Sequence, residues 1–227
     1  MAKIINVAID GPAGAGKSTA SRRAAKELGF IYVDTGALYR AVGVNALRLG
    51  VDTKNKEAVA ATLDKAQVSL VFENSEQKVL LNGEDVSVAI RTPAASMAAS
   101  DVSAVPAVRA FLFDLQRDIA KKNSCLMDGR DIGTVVLPDA GVKIFLTASP
   151  EERARRRCLE LEEKGTPQKY EDVLAEINQR DYNDSHREIA PLKPAEDAVL
   201  LDSSHLDLDG VVARIVEIVR ENKEKES

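Results

Sequence analysis

At 227 residues, 44% hydrophobic and 30% charged, the chain has the composition of an ordinary globular protein, with length for one good core and small appended lobes. A net charge of −5 argues against broad affinity for nucleic acid or an anionic membrane, so any anion must be gripped by a local cluster of cations. The two cysteines, Cys125 and Cys158, lack metal-ligand spacing, and no apolar run suits a signal peptide or a membrane span; a cytoplasmic enzyme or switch is expected.

In chain order, strand-like apolar runs are expected at Ile4–Ile9, Phe30–Val33, Cys125–Met127, Val142–Thr147 and Ala198–Leu201. Helical periodicity alternates with them over Lys17–Leu28, Gly36–Leu49, Pro106–Lys122, Pro150–Lys164 and Leu206–Asn222. The alternation predicts an α/β fold, a five-stranded parallel sheet with helices on both faces. One stretch breaks the rhythm. From Val68 to Ile90 apolar and polar residues alternate, with turns at "ENSEQ" and "NG", which is antiparallel hairpin chemistry. A small β insertion is expected there, then a helix from near Thr92, and a frayed charged tail, "RENKEKES".

Between the first strand and the first helix lies "GPAGAGKST", which satisfies G-x-x-x-x-G-K-[ST]. Its glycines let backbone amides turn inward, the helix start adds its positive end, Lys17 reaches outer phosphates and Ser18 can ligate Mg2+. A nucleoside triphosphate is the expected ligand, whether hydrolysed, sensed or used as a donor. At the end of the second strand, Asp34 and Thr35 reach the sheet's carboxyl edge; Thr35 reads as an N-cap or a ligand, and Arg40 lies one turn into the helix. "DGRD" closes the third strand. Asp128 occupies the place of a strand-end acid that orients Mg2+ or its waters, and Arg130 and Asp131 follow as a cation and an acceptor, a pairing that suits a nucleobase or sugar.

On the helix from Pro150, Arg155 and Arg156 have acids one turn away and read as a solvated face, whereas Arg153 and Arg157 lie one turn apart like a phosphate clamp. Arg180, Asp184 and Arg187 continue the stripe of Val173 and Ile177, either as a structural ion-pair ladder or as the lining of a polar cleft. His186 and His205 sit in no catalytic constellation.

The segments "GPAGAGKST", "DTGALYR", "NGEDVS..IRT", "DGRDIGTVV.PDA" and "RD..D..R..APL.PA.DA..LD" together resemble the bacterial cytidylate kinases over nearly the whole chain. The resemblance implies γ-phosphoryl transfer from ATP to CMP or dCMP with Mg2+. It implies one kinase unit over residues 1–227: a P-loop core at approximately 1–36, 104–150 and 186–227, a monophosphate-binding lobe with the β insertion at approximately 37–103, and a short helical lid at approximately 151–185. ATP would be held by Gly11, Pro12, Ala13, Gly14, Ala15, Gly16, Lys17, Ser18 and Thr19, with Mg2+ on Ser18 and, through water, Asp128. Thr35, at a position often held by serine, and Arg40 would contact the monophosphate, which Arg130 and Arg187 would also hold. Ser100, Arg109 and Asp131 would recognise cytosine, Arg180 with Asp184 the ribose, and Arg153 and Arg157 would be lid arginines acting with Lys17 and Arg130 on the transferred group. The exocyclic amine of cytosine matches the Asp131 carboxylate, where uracil would set a carbonyl against it, so UMP is expected to be a poor substrate. The rivals are a P-loop kinase for UMP, AMP or shikimate, and a nucleotide switch or ATPase with a protein partner. ATP and CMP or dCMP are the expected partners of a monomer that binds neither nucleic acid nor membrane.

Overall fold

The structure, a computed structural model, describes residues 4–73 and 76–225. In chain order the elements are β1 (Asn6–Asp10), α1 (Lys17–Leu28), β2 (Ile31–Asp34), α2 (Thr35–Arg48), α3 (Lys56–Thr62), β3 (Val68–Glu73), β4 (Glu76–Leu81), β5 (Glu84–Asp85), α4 (Pro93–Ser103), α5 (Pro106–Lys122), β6 (Cys125–Gly129), a π-helical turn (Ile132–Val136), β7 (Val142–Thr147), α6 (Pro150–Glu163), α7 (Tyr170–His186), β8 (Val199–Asp202) and α8 (Leu208–Lys225). A five-stranded parallel sheet runs in the order β2-β6-β1-β7-β8, and a three-stranded sheet in the order β3-β4-β5. The expected fold class is therefore the observed one.

By contact the described residues form two compact units, one holding Ile31–Cys125 and the other Ile5–Phe30 with the residues from Leu126 onward. In the second unit β7 pairs with both β1 and β8, and Ile9, Leu126, Met127, Ile144, Leu146 and Ile215 are almost fully buried. Each such side chain contributes roughly 1.5–3 kcal/mol by leaving water. Helix α1 packs on α8, with Ala20, Ala24 and Ala25 of the one and Val212, Ile215, Val216 and Val219 of the other buried, and Arg23–Asp209 and Arg220–Glu27 pairs between them. A separate small core of Ala154, Leu161 and Val173 joins α6 to α7.

In the first unit α2 packs on α4 so tightly that a Cβ on Gly43 would meet Ala98 Cβ at 2.8 Å. Leu38, Val42, Ile90, Val102, Val108 and Leu112 fill the centre, and Val68, Val79 and Leu81 of the hairpin belong to the same cluster. The antiparallel insertion is present, with β3 and β4 registered from Val68↔Leu81 to Glu73↔Glu76; of the expected turn "ENSEQ", Asn74 and Ser75 lie outside the described residues. The α4 start is as expected, with Thr92 accepting the Ala95 N–H at 3.1 Å.

Several boundaries differ. β1, β2 and β8 each run one residue further than their apolar runs and end on an aspartate, Asp10, Asp34 and Asp202. The ladder of backbone bonds, which is blind to side-chain polarity, carries each strand one step past its last buried apolar residue. The second helix begins at Thr35, not Gly36, because Asp34 rather than Thr35 is its N-cap and accepts the Ala37 N–H at 3.0 Å. α8 continues to Lys225, beyond the expected end at Asn222, so the described part of the charged tail is helical. Helix α3 and the π turn had no counterpart among the expected elements.

Candidate active site

In the second unit, β1 delivers the chain into the glycine loop against β7. Gly11 takes φ +150°, and a Cβ there would lie 1.9 Å from the Leu146 carbonyl oxygen, so only glycine lets the loop pass the strand. Gly16, in the left-handed region at φ +83°, caps α1. Lys17 opens that helix, 6% exposed, and its Nζ donates to the carbonyls of Gly11 and Pro12 at 2.7 Å each. Burial, and then the Arg130 guanidinium, hold its pKa well below the usual ammonium range. Ser18 Oγ donates to Asp128 Oδ2 at 2.8 Å. A hydroxyl and a buried carboxylate at the carboxyl end of β6 form the hard oxygen donor set that suits Mg2+.

Immediately past β6, Arg130 Nε donates to Asp184 at 2.9 Å, and Asp131 lies 3.6 Å from the Arg187 guanidinium, whose Nε donates to the Ala190 carbonyl. Arg153 of α6 is 2% exposed and fully engaged: Nε donates to Ala148 O at 3.0 Å, one Nη to Ala13 O at 3.0 Å, and the fork grips the Asp181 carboxylate of α7. Arg157 is exposed and pairs with Glu160 at 2.8 Å. Arg180 is on the exposed face of α7.

The first unit carries its groups differently. Asp34 Oδ2 receives Arg40 at 2.7 Å and Arg91 at 3.4 Å while its other oxygen caps α2. The Gln77 amide of β4 braces the same residue, accepting the Asp34 N–H at 2.8 Å and donating to its carbonyl at 3.3 Å. Thr35 is buried beside it. Arg40 Nε is buried without a hydrogen-bond partner among the described residues, a donor that an arriving anion would satisfy. Ser100 is exposed on α4; Arg109 of α5 stands 5.8 Å from the Tyr39 ring centroid and donates to Ser103 O at 3.5 Å.

Of the two readings of Arg180, Asp184 and Arg187, a ladder or the lining of a polar cleft, a ladder along one helix fails at its last member. α7 ends at His186, Arg187 turns out of it in extended conformation, and Asp184 and Arg187 pair with Arg130 and Asp131. Nor is Arg156 a solvated charge. It bonds Glu152 at 3.0 Å and the Ser203 carbonyl at 2.7 Å, and lies within 4.0 Å of where a Gly16 Cβ would be. Asp181, Gln77 and Arg91 went unremarked because their partners are distant in sequence. Asp10 had a signal, a lone acid ending an apolar strand. Buried at 4% exposure, its two carboxylate oxygens accept the N–H groups of Ile132 at 2.8 Å and Gly133 at 2.7 Å.

The family model described as Cytidylate kinase matches residues 7–221. A cytidylate kinase from Caldicellulosiruptor saccharolyticus is 52% identical over 95% of this chain and 96% of its own length; one from Lactobacillus gasseri is 50% identical over 97% and 96%. Among solved structures, an uncharacterized protein from Eubacterium ventriosum superposes with a TM-score of 0.53 at 12% identity, covering 95% of this chain and 98% of that one, a likeness of fold.

Proposed function

The chain belongs to the cytidylate kinase family, and from that membership we propose that it transfers the γ-phosphoryl group of ATP to CMP or dCMP, giving ADP and CDP or dCDP. An oxygen of the acceptor's phosphate forms the new bond to the γ-phosphorus as the bond to the β-phosphate oxygen breaks, so no side-chain nucleophile is required. Catalysis then rests on holding two anions in line and absorbing the charge that develops between them. Residues 11–19 carry the triphosphate, and Lys17, Arg130, Arg153 and Arg157 meet the transferred group. Thr35, Arg40, Arg130 and Arg187 take the acceptor's phosphate, Ser100, Arg109 and Asp131 its base, and Arg180 with Asp184 its ribose. Ser18 and, through water, Asp128 would hold Mg2+, which would supply positive charge against the phosphate oxygens.

The observation that carries this reading is the set of paired charges after β6. Arg130–Asp184 and Arg187–Asp131 stand directly beyond the strand whose Asp128 holds the phosphate-loop serine. They supply cations for an anionic acceptor and, in Asp131, an acceptor for an exocyclic amine. The enzyme acts as a cytoplasmic monomer on small molecules, binding neither nucleic acid nor membrane; among the described residues no helix is long and apolar enough to cross a bilayer.

The test is ADP formation from Mg·ATP with CMP, dCMP, UMP, AMP or shikimate as sole acceptor. CMP and dCMP should turn over rapidly. UMP should trail by about 5- to 150-fold, the cost of a mismatched buried polar group. Preference for another acceptor would refute the assignments of Ser100, Arg109 and Asp131, and rapid hydrolysis with no acceptor would favour a switch or ATPase.

A further inference from the structure

The π turn at Ile132–Val136 begins with Asp131 in its N-cap position, a residue type well suited to capping, yet the Asp131 side chain makes no capping bond. The first N–H groups of any helical turn need acceptors. Here they find them across the sheet, in the Asp10 carboxylate at the end of β1. The packing is close, since a Cβ on Gly133 would lie 3.4 Å from Asp10 Oδ2 and 3.3 Å from the Lys143 stem.

We propose that Asp10 is a positioning residue for acceptor recognition: by capping the Ile132–Val136 turn from β1, it releases the Asp131 carboxylate from that duty and sets Arg130 and Asp131 in place. The inference rests on the kinase reading above and deepens it. A carboxylate with the two turn amides as its bonded partners meets both of them with one group. Asp131, capping its own turn, would have to rotate its oxygens back onto the backbone and away from Arg187. The arrangement is costly, for burial raises the Asp10 carboxyl to about 6 in spite of the two amide bonds, with Asp131 pushing it up and Lys17 drawing it down. A group kept at that cost, and adjoining the phosphate loop through Gly11, ties the loop that carries Arg130 and Asp131 to the strand that ends in the glycine loop.

Asp10→Asn preserves the shape but turns one acceptor into a donor facing a backbone N–H. The KM for CMP should rise on the order of tenfold, the scale of a lost cap. The CMP-over-UMP ratio of kcat/KM should fall to a similar degree, while the KM for ATP stays within about twofold. In the Asp131→Asn background the same change should cost no further discrimination, because both act through one carboxylate. Amide exchange at Ile132 and Gly133 should quicken in Asp10→Asn whatever the acceptor proves to be. An unchanged KM for CMP and CMP-over-UMP ratio, with only kcat or Tm lowered, would overturn the inference, as would additive losses in the double variant. Should Asp10→Asn fail to fold, Asp10→Ser takes its place; failure of both would make Asp10 a requirement of folding and refute a positioning role. If the wild type ignores CMP, the kinase reading falls, and unchanged amide exchange would then sink the capping role separately.

Discussion

Two pairs of cations, one in each unit, are held differently. In the unit with the glycine loop, Lys17 and Arg153 are nearly inaccessible and each donates to two main-chain carbonyls, those of Gly11 and Pro12 for the lysine and of Ala13 and Ala148 for the arginine, which the Asp181 carboxylate also grips. In the unit with the β insertion, the Arg40 side chain is 21% exposed and that of Arg91 53%, and both depend on the single carboxylate of Asp34. Backbone carbonyls cannot change rotamer, and a carboxylate can. The glycine-loop unit thus holds Lys17 and Arg153 rigidly, as fixed electrostatics favour, whereas the other unit keeps adaptable guanidiniums and an Arg40 Nε with no hydrogen-bond partner among the described residues.

The harshest way to break this contrast is Gly11→Ala. With the Leu146 carbonyl 1.9 Å from the new methyl, β1 and β7 must part. Unfolding free energy should drop by at least about 3 kcal/mol and activity by more than about 100-fold, as misplacing a reacting group does. Urea denaturation and steady-state turnover measure the two losses, and a variant close to wild type would show that the loop is not held rigidly by its neighbour.

Next in size is the pH dependence carried by Asp10. A carboxyl raised from 3.8 to about 6 in the folded chain is favoured there in its protonated form. Between about pH 4 and 6 the native state therefore binds more protons than the unfolded one, and stability falls as pH rises through that window, by on the order of 3 kcal/mol. Measured at pH 4 and pH 7, wild type should lose about that much relative to Asp10→Asn. Parallel pH curves would mean the carboxyl titrates normally.

Smallest is Asp34→Asn in the other unit. Asparagine still caps α2, so Tm should move little, but Arg40 and Arg91 lose their counter-charge. The KM for CMP should rise about tenfold with that for ATP unchanged, since a partly exposed pair contributes little to folding. A shift in the ATP constant instead would erase the distinction between the units.

Much of this was legible in the chain. The glycine loop, the strand–helix alternation and the hairpin rest on local signals, and local physics decides them: Pro93, Pro106 and Pro150 do begin helices, and the Val68–Leu81 alternation does form a ladder. What could not be read was who faces whom. Arg153 has no acid three or four residues away, and its partner Asp181 comes from the next helix; Gln77 reaches Asp34 from another element altogether. Those bonds depend on tertiary packing, which periodicity does not encode. Helix α3 was missed for a smaller reason, a brief run whose Asn55 cap accepts the Ala58 N–H at 3.0 Å and is matched by only a short buried face. Strand ends were misplaced because hydrophobicity stops where burial stops, one residue before the ladder does.

The aspartates beside Arg130, Arg153 and Arg187 have a kinetic consequence. With each guanidinium already neutralised, this face projects little field beyond the Debye length of about 8 Å at physiological salt. Polyanions in general are not drawn in from a distance. A nucleotide bound here would arrive by largely unsteered diffusion, so selection would happen after encounter, and the rate of encounter should be nearly indifferent to ionic strength.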